Sequence, residues 1–136
     1  MDDDIYGIKK WGDDILEVLN NGNIGLKNPF HPSNPSIDLI KIIESLNERG
    51  INCPVLLRIT DYLAFRIKQI NESFFKAIKE VRYKGYYKGV FPVKVNQQAQ
   101  VIDRIVDFGK EFDFGLEVGS KPELLIALAH DLSSES

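Results

Sequence analysis

The sequence predicts an α/β fold: the opening part of a (β/α)₈ barrel, built from three strand-helix units and preceded by a β-hairpin. Short apolar runs alternate with stretches of helical period, turn residues bound each run, and the alternation occurs three times in succession after a Pro-rich connector. Strand-helix-strand succession implies a parallel sheet with right-handed crossovers. A small open sheet also fits, but residues 131–136 supply no strand to cover the third one, and a full barrel needs about 250 residues where this chain has 136. The reading is a hairpin segment and linker over 1–35 and a partial barrel over 36–136.

In the hairpin, residues 14–19 and 24–27 are short apolar segments separated by Asn20-Asn21-Gly22-Asn23. Asn-Gly at such a point is a strong turn signal, because both residues tolerate positive φ. Three prolines within residues 29–35 then exclude a helix interior or a central strand, leaving a connector. From Ser36, Ile37, Ile40, Ile43 and Leu46 recur at spacing three and Leu39 and Ile42 widen the stripe, predicting a helix capped by Ser36 and ended near Gly50.

Residues 53–59, Cys53-Pro54-Val55-Leu56-Leu57-Arg58-Ile59, read as a first buried parallel strand. Asp61 caps a long helix whose face is Leu63, Ile67, Ile70, Phe74, Ile78 and Val81, broken at Lys84-Gly85. Residues 89–96 read as a second strand, backed by a helix carrying Val101, Ile102, Ile105 and Phe108 that stops at Gly109. Residues 114–118 read as a third. Ser120 and Glu123 then form a capping-box pair, each side chain satisfying backbone donors near the other, and a last helix runs from Lys121 to about His130.

Composition bounds the function. With 17 Lys+Arg against 20 Asp+Glu the net charge is −3, which argues against a general nucleic-acid binder, and 43% hydrophobic residues are enough for a packed core. The apolar run 124–129 is far short of the roughly 18 residues of a membrane span. The acidic start Met1-Asp2-Asp3-Asp4 lacks a signal-peptide layout, so an unexported, cytoplasmic setting is expected. Cys53 is the single cysteine, which excludes an internal disulfide and a cysteine zinc site. His31 and His130 belong to no metal-ligand pattern.

Lys94 carries the most chemical promise. It interrupts a β-branched run at the carboxyl end of a strand, the edge where parallel α/β folds bind ligands. Burial among apolar neighbours penalises its charged form and leaves an amine able to attack a carbonyl. A lysine there can also lay its stem over the sheet with the ammonium in water, and spacing alone favours that second reading. Pro92 suggests a bulge that aims Lys94, and Asn96, Gln97 and Gln98 either orient a ligand or cap the next helix. Glu117 and Ser120 hold the matching edge of the next strand, beside Lys94 if the strands are neighbours; Gly115 and Gly119 allow close backbone approach. The basic and aromatic segment 82–88 reads as a solvated connection.

Four blocks together resemble the biosynthetic arginine decarboxylases: Tyr6-Gly7-Ile8-Lys9-Lys10-Trp11-Gly12, Pro54-Val55-Leu56-Leu57-Arg58-Ile59, Gly89-Val90-Phe91-Pro92-Val93-Lys94-Val95-Asn96-Gln97 and Gly115-Leu116-Glu117-Val118-Gly119-Ser120-Lys121-Pro122-Glu123-Leu124. The third is similar to the pyridoxal-phosphate lysine strand of that family, of the alanine-racemase-like fold group. The resemblance implies decarboxylation of L-arginine to agmatine, a polyamine precursor, with Lys94 the catalytic residue that links to pyridoxal 5′-phosphate and Glu117 and Ser120 near the cofactor. It also implies magnesium as a second cofactor, for which no ligand set stands out, a homo-oligomer in the full-length family, and a hairpin belonging to a β-domain. Family members run to several hundred residues, so the expectation is an N-terminal portion inactive alone. Two alternatives stay open: a decarboxylase of the same fold acting on another basic amino acid, and a non-catalytic α/β module in which Lys94 contacts phosphate.

Overall fold

A computed structural model describes residues 5–133; the acidic start and the residues after Ser133 lie outside them. The chain divides into two compact units, one up to Asp61 and one from Tyr62. The sequence reading divides it at 35/36 instead. The difference arises because the segment after the connector pairs with the hairpin.

In the first unit a short helix, α1 (Ile8–Trp11), precedes strands β1 (Leu16–Val18) and β2 (Ile24–Leu26), which pair antiparallel with Leu16 opposite Leu26 and Val18 opposite Ile24. Gly22 adopts φ +84° and Leu19 N–H donates to Asn23 O, closing a three-residue loop with a left-handed residue at its end. A third strand, β3 (Ile37–Asp38), adds antiparallel to β2. Helix α2 (Leu39–Glu48) follows, so its cap is Asp38 and not Ser36.

The reason is local. Asp38 Oδ1 accepts the Ile40 N–H at 3.0 Å, while its Oδ2 accepts the side-chain amides of Asn21 and Asn23 at 3.0 and 2.9 Å. The Ser36 hydroxyl is instead drawn to Glu17 Oε1. Ile37, in β3, and Ile40 are exposed, and the half-buried face of α2 is Leu39, Ile42, Ile43 and Leu46, whose spacing of three and four follows the 3.6-residue period more closely than a run of threes. Gly50 at φ +78° ends the helix: its N–H bonds Asn47 O and the Ile51 N–H bonds Leu46 O, the paired bonds that satisfy terminal carbonyls.

Residues 53–59 form no strand, a correction to the first of the three expected strand-helix units. The segment makes no ladder pairing among the described residues, and Leu56 is 75% exposed. Apolar composition favours extended backbone, but a strand is stabilised by a neighbour that takes its N–H and C=O groups, and no local signal encodes that neighbour.

Helix α3 (Thr60–Val81) follows, with Asp61 inside its first turn. Of its apolar stripe only Ile67 is fully buried; Ile70, Phe74 and Val81 are exposed. The helix ends at Arg82, earlier than the Lys84-Gly85 break, with φ +54° and the Tyr83 N–H returning to Ile78 O. In the segment beyond, the Tyr87 ring stacks on Phe74 at a centroid distance of 3.9 Å.

Strand β4 (Val90–Pro92), helix α4 (Ala99–Gly109) and strand β5 (Gly115–Glu117) form a parallel crossover unit, with Val90 opposite Gly115, Phe91 opposite Leu116 and Pro92 opposite Glu117. Helix α5 (Lys121–Leu128) completes the unit. The core gathers Val93, Ile102 and Val106, with Phe91, Leu116, Val118, Ile126 and Leu132 packed against them. His130 links the two helices: Nδ1 lies 2.7 Å from Ile126 O and Nε2 2.9 Å from Asp103 Oδ1.

Candidate functional site at the carboxyl edge of β4 and β5

Lys94 is not a strand residue. Pro92 closes β4 because it has no N–H to extend a ladder, and the chain winds into a 3₁₀ turn, Val93–Val95, closed by Asn96 N–H on Val93 O. Val93 goes fully into the core and the next side chain, Lys94, points outward at the strand's carboxyl end. Its side chain is 65% exposed, so the amine is not desolvated among apolar neighbours. Its nearest charged partner is Glu117, whose Oε1 lies 3.9 Å from Nζ.

Glu117 ends β5 and sits level with Pro92 through the parallel register. This is the juxtaposition the sequence makes conditional on neighbouring strands, and β4 and β5 are neighbours. Glu117 Oε2 is buried and has no hydrogen-bond partner among the described residues. A buried carboxylate oxygen without a donor is costly, so the atom suits a donor arriving with a ligand.

Ser120 behaves differently from Glu117. It caps α5, its Oγ accepting the Glu123 N–H at 3.4 Å and donating to Glu123 Oε1 at 2.7 Å. Glu123 Oε2 in turn accepts the Gly119 N–H at 2.8 Å. The hydroxyl proton and one backbone donor at this edge are therefore held by Glu123, which the sequence marks only as a capping partner. Glu123 is almost fully buried. Its carboxyl is held below the ordinary range, first by the Gly119 N–H, then by the Ser120 hydroxyl, with burial opposing and the charge of Lys94 adding to the lowering. The Ser-x-x-Glu spacing was the signal; only the fold shows that this pair adjoins Lys94.

Of the remaining candidates, Asn96 Oδ1 accepts the Gln98 N–H at 3.0 Å and so prepares the start of α4, and Gln98 O accepts from Val101 and Ile102. Gly115 is buried in β5 with its N–H on Gly89 O. At Gly119 a Cβ would come into ordinary van der Waals contact with both acidic side chains, Glu123 Oε2 at 3.7 Å and Glu117 Oε1 at 3.9 Å. Among the described residues no three His, Cys, Asp or Glu side chains group as metal ligands, and no helix is long and apolar enough to cross a membrane.

Two carboxyls with lowered values, Glu123 and Asp38, give a pH prediction. Asp38 is lowered by the Asn23 and Asn21 amides first, with backbone N–H groups of Ile40 and Lys41 adding and burial opposing. Each group binds a proton less readily folded than unfolded, so stability is full above the ordinary carboxylate range and falls as pH drops through the depressed folded values. Thermal unfolding followed from about pH 6 to about pH 3 should show a falling midpoint, and Glu123→Gln should flatten the decline.

The parallel crossover and its charged edge define an α/β protein with an amine and a carboxylate placed where such folds bind ligands. No family model matches the chain. Over 124 residues, 91% of the chain, it is 50% identical to the biosynthetic arginine decarboxylase of Prochlorococcus marinus strain MIT 9301, and over 126 residues it is 46% identical to that of Gloeobacter violaceus. The crystal structure of the biosynthetic arginine decarboxylase SpeA from Campylobacter jejuni matches 99% of the chain with a TM-score of 0.84 and 35% identity, and the chain covers 21% of that structure. The chain is thus related to the biosynthetic arginine decarboxylases over nearly its whole length and spans about one fifth of theirs. The resemblance carried by the four sequence blocks is borne out.

Proposed function

We propose that the chain is the lysine-bearing portion of a pyridoxal-phosphate-dependent L-arginine decarboxylase serving polyamine biosynthesis in the cytoplasm, inactive alone. One observation carries the reading: the Lys94 amine, paired at 3.9 Å with Glu117, stands at the ligand-binding edge of a parallel strand pair in a chain 50% identical to an arginine decarboxylase over 91% of its length. On this reading β4, β5 and their helices are part of a (β/α)₈ barrel, and β1 to β3 belong to a β-domain. Magnesium and a homo-oligomeric state come with the full-length protein.

The residues fit one end of the cofactor. An exposed amine beside an orphaned buried carboxylate oxygen suits its reactive carbonyl end. Glu123 takes the Gly119 N–H and the Ser120 hydroxyl, so these two donors are already engaged and do not count toward holding its phosphate. Lys94 would hold the cofactor covalently through Nζ, with the carbonyl oxygen leaving as water, Glu117 would orient Nζ and take or return a proton there, and Ser120 would contribute by fixing the turn next to them. When bound, the cofactor supplies the electron sink for the pair released as the α-carboxylate leaves.

The test is trapping. The purified chain incubated with pyridoxal phosphate, reduced with borohydride and mapped by peptide mass should carry its adduct predominantly on Lys94. Equal labelling of other exposed lysines such as Lys84 and Lys110 overturns the assignment. Agmatine formation by the 136-residue chain alone overturns the proposal that it is inactive by itself.

A further inference from the structure

Glu123 does more than cap a helix. Its two oxygens take different donors, Gly119 N–H on Oε2 and Ser120 Oγ on Oε1. Gly119 is two residues beyond Glu117, so the bond to its N–H fixes the backbone that leaves β5 just after the carboxylate facing Lys94. A Cβ at Gly119 would touch both carboxylates, which places Glu117 Oε1 and Glu123 Oε2 over the same backbone atom. Reaching back from the third helical position to a backbone N–H is what a capping box does, but the N–H taken here is that of Gly119, one residue ahead of the Ser120 cap, so the same bond ties α5 to the backbone that leaves β5.

We infer that Glu123 is a positioning residue: by clamping the Gly119-Ser120 turn it holds Glu117 beside the Lys94 amine. The inference rests on the reading of Lys94 as the reacting amine, since only then does its registry with Glu117 matter for chemistry.

Zero-length cross-linking reads that registry without any cofactor. A carbodiimide activates the Glu117 carboxylate and the Lys94 amine attacks the acyl carbon. An amide forms, and the displaced oxygen leaves in the urea, so the cross-linked chain is lighter by one water. Lys76 and Glu80, also 3.9 Å apart but within α3, give an internal standard that turn geometry at Gly119 does not touch.

The wild-type chain should form both links. Glu123→Ala should lower the Lys94–Glu117 link by about ten-fold or more relative to the standard, within the roughly 10²-fold that a displacement of about 1 Å can cost a proximity-driven reaction. Glu123→Gln keeps an oxygen for one of the two donors and should fall between; it also serves if the alanine variant does not fold. An unchanged ratio in both variants overturns the inference. So does a rise, which means that Glu123 competes for Lys94 and does not hold Glu117. Pyridoxal-phosphate trapping on the same wild-type sample keeps the two ideas apart, because a missing Lys94 adduct sinks the cofactor reading while the cross-link ratio still judges Glu123.

Discussion

Lys94→Ala is expected to abolish the adduct that borohydride fixes at this edge. In the chain joined to the remaining part of a relative's sequence, it should lower arginine decarboxylation by about 10⁴-fold or more, the scale seen when a covalent nucleophile is removed. Lys94→Arg separates charge from nucleophilicity. A guanidinium keeps the ion pair with Glu117 but does not lose its proton in proteins, so it cannot attack a carbonyl. If Lys94 merely contacts phosphate, arginine should serve as well or better, because its planar fork matches phosphate oxygens. The two substitutions therefore divide the enzyme from the binding module: near-equal loss in both supports the covalent role, and retained decarboxylation in Lys94→Arg removes it. Glu117→Gln, which keeps shape and loses charge beside Nζ, should cost less, about 10²-fold, as expected for a group that handles a proton and forms no bond to carbon.

What could be read from the residues was whatever the chain decides locally. Asn21-Gly22 marked the turn of the hairpin, Gly50 the end of α2, and the stripe of Ile102 and Ile105 the inner face of α4, because each depends on neighbours within one or two turns of chain. Partner choice was not local. The apolar run at 53–59 has the composition of a buried strand and lacks only the ladder, while Asp38 displaced Ser36 as a cap because two asparagines from the hairpin turn reach its carboxylate. At the site, the pairing of Lys94 with Glu117 followed from their matching strand ends, but the alternation Val93-Lys94-Val95 concealed a 3₁₀ turn. Glu123 was legible as half of a capping box, and its nearness to Lys94 arises only when β4 and β5 lie side by side.

Ile102→Ala should be the most destabilising single truncation in the unit that begins at Tyr62. Ile102 is fully buried, in the same cluster as Val93 and Val106, with Leu116 and Ile126 closing over it. Removing its outer carbons forfeits their transfer free energy and leaves a cavity that a strand pair of three residues each can only partly collapse around, a loss of about 2–5 kcal/mol. Against total stabilities of about 5–15 kcal/mol for whole domains that is a large share, visible as a lower urea midpoint with an unchanged slope. Val95→Ala, on an exposed neighbour of Lys94, should stay within about 0.5 kcal/mol. The contrast reaches the site through Val93, which is both a core residue and the first residue of the turn presenting Lys94. A cavity at Ile102 loosens the floor on which that turn rests, so adduct yield at Lys94 should fall in Ile102→Ala under conditions where the chain is still folded, and hold in Val95→Ala. Equal yields in the two variants mean that the turn keeps its shape through its own Asn96–Val93 bond and owes nothing to the core beneath it.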